Sequence, residues 1–447
     1  KEFADIHKVK VLVGTEAIES IFQNLGGART NFFSDDFAYR VLNAGGAGIT
    51  NFNGRSETAL WSTFGKVNYS LMDRYLVDVT VRRDASSVFG ANNRAGVFPA
   101  ASFGWRISEE GFLASIGAIT DAKVRVGWGQ MGSQFINANN QFTTFRTSLT
   151  ASSYDIGGSN SSVVSGFDSQ RFGNPDGKWE ATTTINAGID LTLWNALTIN
   201  FDWYDRNTTD MLYTLTLPGV QGEAAAPAQN VGEMNNRGID LNLAYANDAL
   251  NGDFSYNIGV NFSTYKNEIV SLSLDNPNEV LVGPARRQFT YTRSEAGLPI
   301  GYFYGLKITG FTTAEDVGSG VYDDYYDRPG RFKYEDNNGR DEDGELTGQP
   351  DGKIDEADRT LIGSPHPDFT YGINIDLKYK NFDFTMFWQG VQGNNLINYV
   401  RRWTDFFTFQ GNRSTRMLEQ SWTPELGDAA LLPELSQSDV LRSILMP

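Results

Sequence analysis

The stretch "YGINIDLKYKNFDFTMFW", residues 371–388, alternates apolar and polar side chains almost without a break. Its apolar members are Tyr371, Ile373, Ile375, Leu377 and Tyr379 before Lys380-Asn381, and Phe382, Phe384, Met386 and Trp388 after it. A period of two places successive side chains on opposite faces of a strand. The stretch therefore predicts a β-hairpin with one apolar face, one polar face and a two-residue turn.

The same alternation recurs along most of the chain. It gives about eleven strand candidates, many of them about nine to eleven residues long, the length that a tilted strand needs to cross a bilayer. Besides the opening hairpin, the strand candidates lie at residues 185–193, 197–203, 239–245 and 254–262, with shorter ones at 9–13, 75–81, 101–107 and 124–128. The alternation is thus a property of the whole architecture.

Two architectures use such strands. In a soluble sandwich the apolar face meets a second sheet, whereas in an outer-membrane barrel it meets lipid and the polar face lines a lumen. The predicted connections fall into short turns at 194–196, 249–252 and 380–381 and long polar loops at 17–56, 133–178 and 267–300. Short turns at one end and long loops at the other are typical of a barrel.

Aromatic residues at the ends of the strand candidates favour the same architecture. They are Trp194, Tyr204, Tyr245, Tyr379 and Phe382. Aromatic side chains concentrate where a membrane meets water, so we expect these five to form an interfacial girdle.

Composition excludes several other classes of protein. The 447 residues contain no cysteine, so neither a disulfide framework nor a thiolate metal site is available. The formal charge of −17 argues against a nucleic-acid partner, which needs a basic surface. Neither histidine lies in a recognisable catalytic or metal-binding motif, so we expect no enzymatic activity.

The two ends of the sequence suggest that it belongs to something larger. It begins at Lys1 without an initiator methionine or signal peptide, and a new segment opens near residue 439, shortly before Pro447. Eleven strands in lipid would leave unpaired backbone at the edges of an open sheet. We therefore expect residues 1–447 to be one partial β-barrel domain.

Seven segments of the chain carry a recognisable family pattern. Three of them read "KWEATTTINAGIDLTLW" at 178–194, "NVGEMNNRGIDLNL" at 230–243 and "PIGYFYGLKITGF" at 299–311. The other four lie at residues 62–108, 202–219, 351–395 and 421–439. Taken in order, the seven segments resemble the barrel of the SusC/RagA family of TonB-dependent outer-membrane transporters. Seven collinear segments are a specific match, where one would be weak.

The resemblance implies an all-β fold, a 22-stranded antiparallel transmembrane barrel with long extracellular loops around an N-terminal plug. The plug and the last barrel strands would then lie outside this chain. It also implies the outer membrane of a Gram-negative, Bacteroidota-like cell and contact with its lipid. The implied partners are a SusD-like surface lipoprotein, which covers the loops as a lid, and the TonB–ExbB–ExbD complex, reached through the missing N-terminal part.

The function implied is TonB-dependent import of a bulky nutrient, with an oligosaccharide favoured and a peptide as the second choice. No cofactor is required for such transport. Two alternatives stay open at this point: a siderophore or cobalamin receptor built on the same barrel, and a soluble secreted glycan-binding β-protein.

Polar residues between the apolar positions are the candidates for the substrate path. They are Asn186, Asp190, Asn200, Asp202, Asp240, Asn242, Asn257, Asn261, Asn374 and Asp376. Asn and Asp side chains supply the hydrogen bonds that sugar hydroxyls need. Further candidates are the loop aromatics Phe142, Phe145, Tyr154, Tyr325 and Tyr326.

One loop resembles half of a calcium-binding motif. In "DGKIDEAD", residues 351–358, acidic residues surround a glycine turn, and Asp336 and Asn338 would supply the other half. The hypothetical calcium ligands are Asp336, Asn338, Asp351 and Asp358. An acidic, solvated loop is the competing interpretation.

Overall fold

The structure of the protein is a computed structural model. It describes residues 2–3, 6–113, 116–147, 152–158, 163–214, 220, 222, 224–249, 252–272, 280–285, 290–322, 327–406 and 412–435. Among these residues, no helix has both the length and the apolar character needed to cross a membrane.

Twelve strands form the principal sheet. They are β1 (Glu2–Phe3), β2 (His7–Phe32), β3 (Gly45–Leu71), β4 (Tyr75–Ser86), β5 (Ala95–Arg106), β6 (Ile119–Ser133), β7 (Glu180–Leu193), β8 (Leu197–Thr209), β9 (Glu233–Ala249), β10 (Phe254–Ser271), β11 (Phe369–Tyr379) and β12 (Phe382–Gln392). Their order in the sheet is their order in the sequence. The predicted hairpins and the antiparallel up-and-down arrangement of a barrel wall are confirmed.

Shorter elements lie in the connections between these strands. The short strands are Thr144–Arg146, Ser153–Asp155, Val163–Ser165, Asp168–Arg171, Leu212–Thr214, Ala228–Asn230, Leu281–Val282, Thr292–Ser294, Tyr302–Gly305, Ile308–Phe311, Phe332–Tyr334 and Thr360–Gly363. The helices are two α-helices, Arg401–Thr404 and Arg416–Gln420, and the 3₁₀ turns Phe37–Tyr39, Leu42–Ala44, Ile107–Glu109, Glu356–Asp358 and Gly427–Ala429.

The register aligns apolar side chains in rows across the sheet. One row runs through eight strands as Val9, Tyr69, Val77, Phe103, Val126, Ala187, Trp203 and Ile239. Since a shift of one residue would move every one of these side chains to the other face, burial of this face in an apolar medium fixes the register.

This apolar face is open to its surroundings. Phe103 is 44% exposed, Val126 47% and Trp203 41%. Among the described residues, both clusters of buried apolar side chains lie elsewhere, one around Phe89 and one around Phe332. Within the described ranges, no second sheet of the kind found in a soluble sandwich covers this face, and lipid is the medium that covers it in a barrel.

The connections differ sharply between the two ends of the strands. Because neighbouring strands are antiparallel, successive connections alternate between the ends. One end, here called the loop end, carries the connections 33–44, 87–94, 134–179, 210–232 and 272–368. The other, the turn end, carries 72–74, 107–118, 194–196, 250–253 and 380–381. The predicted asymmetry between long loops and short turns is confirmed.

The β7–β8 turn shows how the sequence closes a hairpin. Trp194 and Asn195 both have positive φ, 52° and 57°. Positive φ at both central residues is the mark of a type I′ turn, whose twist matches that of the flanking strands. The predicted turn at Lys380-Asn381 likewise begins with a positive φ, 53° at Lys380.

Two sequence-based predictions were wrong. The predicted loop 17–56 is largely strand, because β2 and β3 stay paired as far as Phe32 and Gly45, which leaves only residues 33–44 between them. Gly, Asn and Ser residues in this extension interrupt the alternation of apolar and polar side chains, so the sequence pattern does not indicate a strand there. Tyr204 lies within β8 opposite Asn186, on the polar face, and so is not part of an interfacial girdle.

The chain divides into two compact units: Lys1–Gly259 with Asp376–Phe384, and Val260–Ile375 with Thr385–Pro447. In the first unit, Val88, Phe89, Phe98 and Trp179 form a buried cluster. Phe98 pairs with Arg82 on the polar face near the loop end, so the cluster lies on that side of the sheet. In the second unit, the buried cluster includes Phe311, Phe332, Tyr334, Phe406, Met417, Ala430 and Leu432.

Candidate functional site

The polar face of the principal sheet gathers charged side chains from four consecutive strands. One row contains Lys123 of β6, Asp190 of β7, Asn200 of β8 and Asn242 of β9. The next row contains Arg125, Gly188, Asp202 and Asp240. Six of the predicted path residues, the five named in these rows and Asn186, therefore share one face of adjacent strands.

Arg125 is the centre of this group. Its Nε lies 3.1 Å and 3.0 Å from the two carboxylate oxygens of Asp190, and its Nη2 lies 3.0 Å from Oδ1 of Asp190. Its Nη1 and Nη2 donate to Asp202 at 2.6 Å and 2.8 Å. The planar guanidinium thus bridges two carboxylates, each through more than one hydrogen bond, the geometry in which arginine binds most strongly.

Two further side chains complete the network. Lys123 Nζ lies 2.8 Å from Asp190, and Asn200 Nδ2 donates to Asp190 at 3.0 Å. The Arg125 and Asp190 side chains are 28% and 22% exposed, so water reaches them only in part. Gly188 makes room for the guanidinium, since a Cβ there would lie 2.8 Å from the Arg125 Cζ.

The carboxylates and Asn200 were predicted from the sequence, but Arg125 and Lys123 were not. Both are polar members of an alternating strand, so the alternation alone could have placed them on the polar face. Their pairing with Asp190 and Asp202 depends on the register of β6, β7 and β8, which alternation alone does not supply.

The remaining predicted path residues are more dispersed. Asn186 lies over Gly127, where an added Cβ would be 2.4 Å from the amide oxygen, and Asn261 lies in the same way over Gly372 at 2.7 Å. Asn257 and Asn374 are exposed, and Asp376 is partly buried. Of the candidate loop aromatics, Phe142, Phe145 and Tyr154 are exposed, whereas Tyr325 and Tyr326 lie outside the described residues.

A second ionic group lies nearer the loop end on the same face. Arg82 of β4 donates to Asp84 at 2.8 Å, to Glu16 at 3.1 Å and to the Ser62 hydroxyl at 2.7 Å. Ser62 is only 1% exposed and Asp84 9%, whereas the Arg82 and Glu16 side chains are 36% and 47% exposed, so the group is buried on one side and open to water on the other.

Two of the long connections enclose a cavity at the loop end. Its volume is about 580 Å³, and its lining comes from the β6–β7 and β8–β9 connections. Two lining residues, Ile136 and Leu212, also pack against the buried cluster around Phe89. The cavity therefore lies on the polar side of the sheet, and two of its lining residues are held by this cluster.

The predicted calcium loop is closed by its own backbone. Asp336 accepts hydrogen bonds from the backbone N–H groups of Asp351 at 3.2 Å and Gly352 at 2.9 Å. Asn338 accepts one from Gly348 at 2.7 Å, and the fully buried Asp358 accepts from Asn338 at 3.2 Å and Asp355 at 2.8 Å. The four predicted ligands thus lie in one loop, but in the described part of the chain no three His, Cys, Asp or Glu side chains converge on a metal position.

Both histidines are occupied by neighbours. His7 Nδ1 lies 2.8 Å from the Tyr69 hydroxyl. His366 lies 3.1 Å from the Tyr265 hydroxyl through Nδ1 and 2.9 Å from the Ile300 carbonyl through Nε2. These contacts fit a role in anchoring strand ends.

The sheet, its open apolar face and its charged polar face agree with a comparison against protein families. The family described as "TonB dependent receptor-like, beta-barrel" matches residues 12–339. The chain belongs to the TonB-dependent receptor β-barrel family. Its strands are those of an outer-membrane barrel, and the family occurs in Gram-negative bacteria.

Individual relatives place the chain among TonB-dependent receptors of the SusC/RagA type. TonB-dependent receptor P3 of Formosa agariphila is 32% identical over 379 residues, which cover 84% of this chain and 36% of that protein. TonB-dependent receptor SusC of Bacteroides thetaiotaomicron is 32% identical over 365 residues, 80% of this chain and 33% of that protein. The chain spans about a third of the length of these curated relatives.

A solved structure of a peptide transporter, RagAB, has the same fold. It is 25% identical to this TonB-dependent receptor barrel, and the two superpose with a TM-score of 0.76 over 98% of this chain and 45% of that one. The SusC/RagA resemblance found in the sequence is therefore confirmed at the level of the fold.

Proposed function

We propose that the protein containing this barrel segment imports a bulky nutrient across the outer membrane by a TonB-dependent mechanism, without covalent chemistry. The observation that carries the proposal is the contrast between the two faces of one sheet. Apolar rows stand open on one face, and ionic groups and amides occupy the other, as expected when a strand separates lipid from an aqueous lumen.

The polar face also has features spaced along the strands. The cavity lies at the loop end, the Arg82 group comes next, and the Arg125 network lies nearer the turn end. In barrels of this kind the long loops are extracellular. A substrate entering there would meet hydrogen-bonding groups along its way, with the Asn and Asp side chains predicted from the sequence among them.

An oligosaccharide is the favoured cargo, because exposed amides such as Asn257 and Asn374 suit hydroxyl groups. A peptide is the second candidate, and the likeness to the RagAB peptide transporter favours it. A siderophore or cobalamin stays a further alternative on the same barrel. The proposed partners are a SusD-like lipoprotein over the loop end and the TonB–ExbB–ExbD complex.

Nutrient uptake by a deletion strain tests the proposal. Cells lacking the full-length gene are supplied with oligosaccharides, peptides or iron chelates as sole sources, and uptake of each labelled compound is measured with and without the gene and with TonB inactivated. Loss of oligosaccharide uptake in both strains supports the proposal. Loss confined to iron chelates, or uptake that does not depend on TonB, contradicts it.

Calcium binding by Asp336, Asn338, Asp351 and Asp358 stays a proposal of its own. Backbone N–H groups already donate to each of the three carboxylates, so calcium would have to share these oxygens or displace an N–H group. Calorimetry of the full-length protein tests it: heat of calcium binding that disappears in Asp351→Asn supports the site, and no heat in the native protein refutes it.

A further inference from the structure

The cavity at the loop end has an unusual charge arrangement. The cavity of about 580 Å³ falls in the size range of ligand pockets. Its lining residues are Phe135, Ile136, Asn137, Asn140, Arg171, Leu212, Thr214, Ala225, Ala226 and Ala228. Among them Arg171 is the one ionisable side chain, in a chain whose formal charge is −17.

Arg171 contrasts with its neighbour on the same two-stranded hairpin. Arg146 forms an ion pair with Asp168, with Nη2 and the carboxylate oxygen 2.9 Å apart. Within the described ranges, the Arg171 guanidinium has neither a hydrogen-bond partner nor an ion-pair partner. A partly buried guanidinium without a carboxylate is suited to bind an anionic group from outside the protein.

The backbone around Arg171 is fixed on both sides of the cavity. Residues flanking Arg171 bridge to Ala225, with Phe172 N–H donating to its carbonyl at 3.0 Å and Ala225 N–H donating to Gln170 at 3.0 Å. Three residues further on, the Asn140 side chain binds both the N–H and the carbonyl of Ala228, at 2.7 Å and 3.0 Å. Asn140 is 1% exposed. The cavity is thus formed before any ligand arrives, which lowers the entropy lost on binding.

The rest of the lining suits a sugar. Phe135 is 95% exposed and adds an aromatic ring to the lining, and the Asn137 amide and Thr214 hydroxyl add hydrogen-bonding groups. The three alanines of the lining, Ala225, Ala226 and Ala228, have short side chains that take up little of the cavity. An apolar platform with a few amides and one cation matches a sugar ring that carries a carboxylate.

We infer that this cavity is a binding subsite for an acidic oligosaccharide, in which Arg171 pairs with the carboxylate of a uronic acid residue. The inference rests on the proposed import function and narrows its substrate class. Arg171 is a binding residue, and the neighbouring Asn137, Thr214 and Phe135 hold the sugar ring beside it.

Binding to the full-length protein in detergent tests the inference. The probes are pooled oligomers of galacturonate, glucuronate and mannuronate of about four to ten residues, and the same pools after reduction of their carboxyl groups to neutral sugars. We expect the acidic pool to bind at least about tenfold more tightly than the reduced pool, because a hydrogen-bonded charged pair contributes that much. Arg171→Gln should abolish this difference, and Arg171→Lys should restore part of it.

Arg146→Gln is the matched control, since it changes an arginine on the same hairpin whose charge is already paired. It should keep the preference for the acidic pool. Equal binding of the two pools, no binding of either, or an unchanged preference in Arg171→Gln overturns the inference. If TonB-dependent uptake of neutral oligosaccharides persists while these binding tests fail, the proposed import function stands and the acidic subsite alone is refuted.

Discussion

Replacing Arg125 with glutamine should destabilise the barrel more than any loss of an exposed ion pair. Arg125 donates five hydrogen bonds of 2.6–3.1 Å to Asp190 and Asp202. Asp190 would keep Lys123, but Asp202 would lose its cation within the described residues. Hydrogen bonds to charged groups contribute about 1.5–3 kcal/mol, and leaving a buried charge unpaired costs about 3–5 kcal/mol. Because the carboxylates are 22% and 28% exposed, we expect a loss between these ranges, about 2–4 kcal/mol.

The assay is urea unfolding of the full-length protein in lipid vesicles, followed by tryptophan fluorescence. Arg55→Gln is the control, because its pair with Glu57 is 57% and 49% exposed and should contribute less than about 1 kcal/mol. The triple variant Arg125→Gln, Asp190→Asn, Asp202→Asn should regain at least half of the loss, since it leaves fewer charges unpaired. Arg125→Gln that is no less stable than Arg55→Gln would refute the reasoning, as would a triple variant less stable than the single one.

Three other predictions follow from local geometry. Gly90→Ala should lower the free energy of unfolding by about 1–3 kcal/mol, because the new Cβ would lie 2.0 Å from the Pro175 carbonyl oxygen. Gly111→Ala is the control: a Cβ there would have no atom within 4 Å, so the free energy of unfolding should change little. The urea midpoints of the two variants are compared. Phe103→Arg on the apolar face should cost about 2–4 kcal/mol in vesicles, while Ser102→Arg on the polar face should be nearly neutral, and equal losses would contradict the facial assignment. In the long 272–368 connection, the hydrogen bond from Lys333 and that from the Thr313 backbone hold the pKa of Asp316 below its usual range. Asp316 therefore stabilises the fold fully above its unfolded pKa of about 3.9, and this contribution is lost as the pH falls through the lower folded value. The measurement is the protection of the Thr313 amide from hydrogen exchange as a function of pH. Asp316→Asn should remove the loss of protection at acid pH, and a pH profile equal to that of the native protein would refute this role of Asp316.

Much of the fold could be predicted from alternation and turn chemistry. The hairpin at Trp194-Asn195 could be predicted from the alternation on either side of the turn, and the two positive φ angles show that the turn itself closes it. The extension of β2 and β3 beyond residue 17 could not be predicted in the same way. There Gly, Asn and Ser occupy both faces, and the pairing of the two strands, rather than either pattern alone, holds them extended.

Only part of the candidate site could be predicted from the sequence. Asp190 and Asp202 stood out as polar members of strands, but their shared partner Arg125 lies on β6, which reaches Asp202 only across β7. The cavity could not be predicted from the sequence at all. Its walls come from segments about 90 residues apart, joined by the bond between Asn140 and Ala228. No periodicity in either segment reports such a contact.

The function proposed for this chain requires that one face of the sheet contacts lipid and the other an aqueous lumen. Spin labels on single cysteines test it most directly in the full-length protein, because this segment contains no native cysteine. Phe103→Cys and Ser102→Cys place the label on opposite faces of β5. In vesicles, we expect the label at 103 to be accessible to oxygen, which dissolves in lipid, and the label at 102 to a water-soluble nickel chelate. A label at 103 that the nickel chelate reaches, or a label at 102 that oxygen reaches as it does in lipid, would contradict this assignment of the two faces.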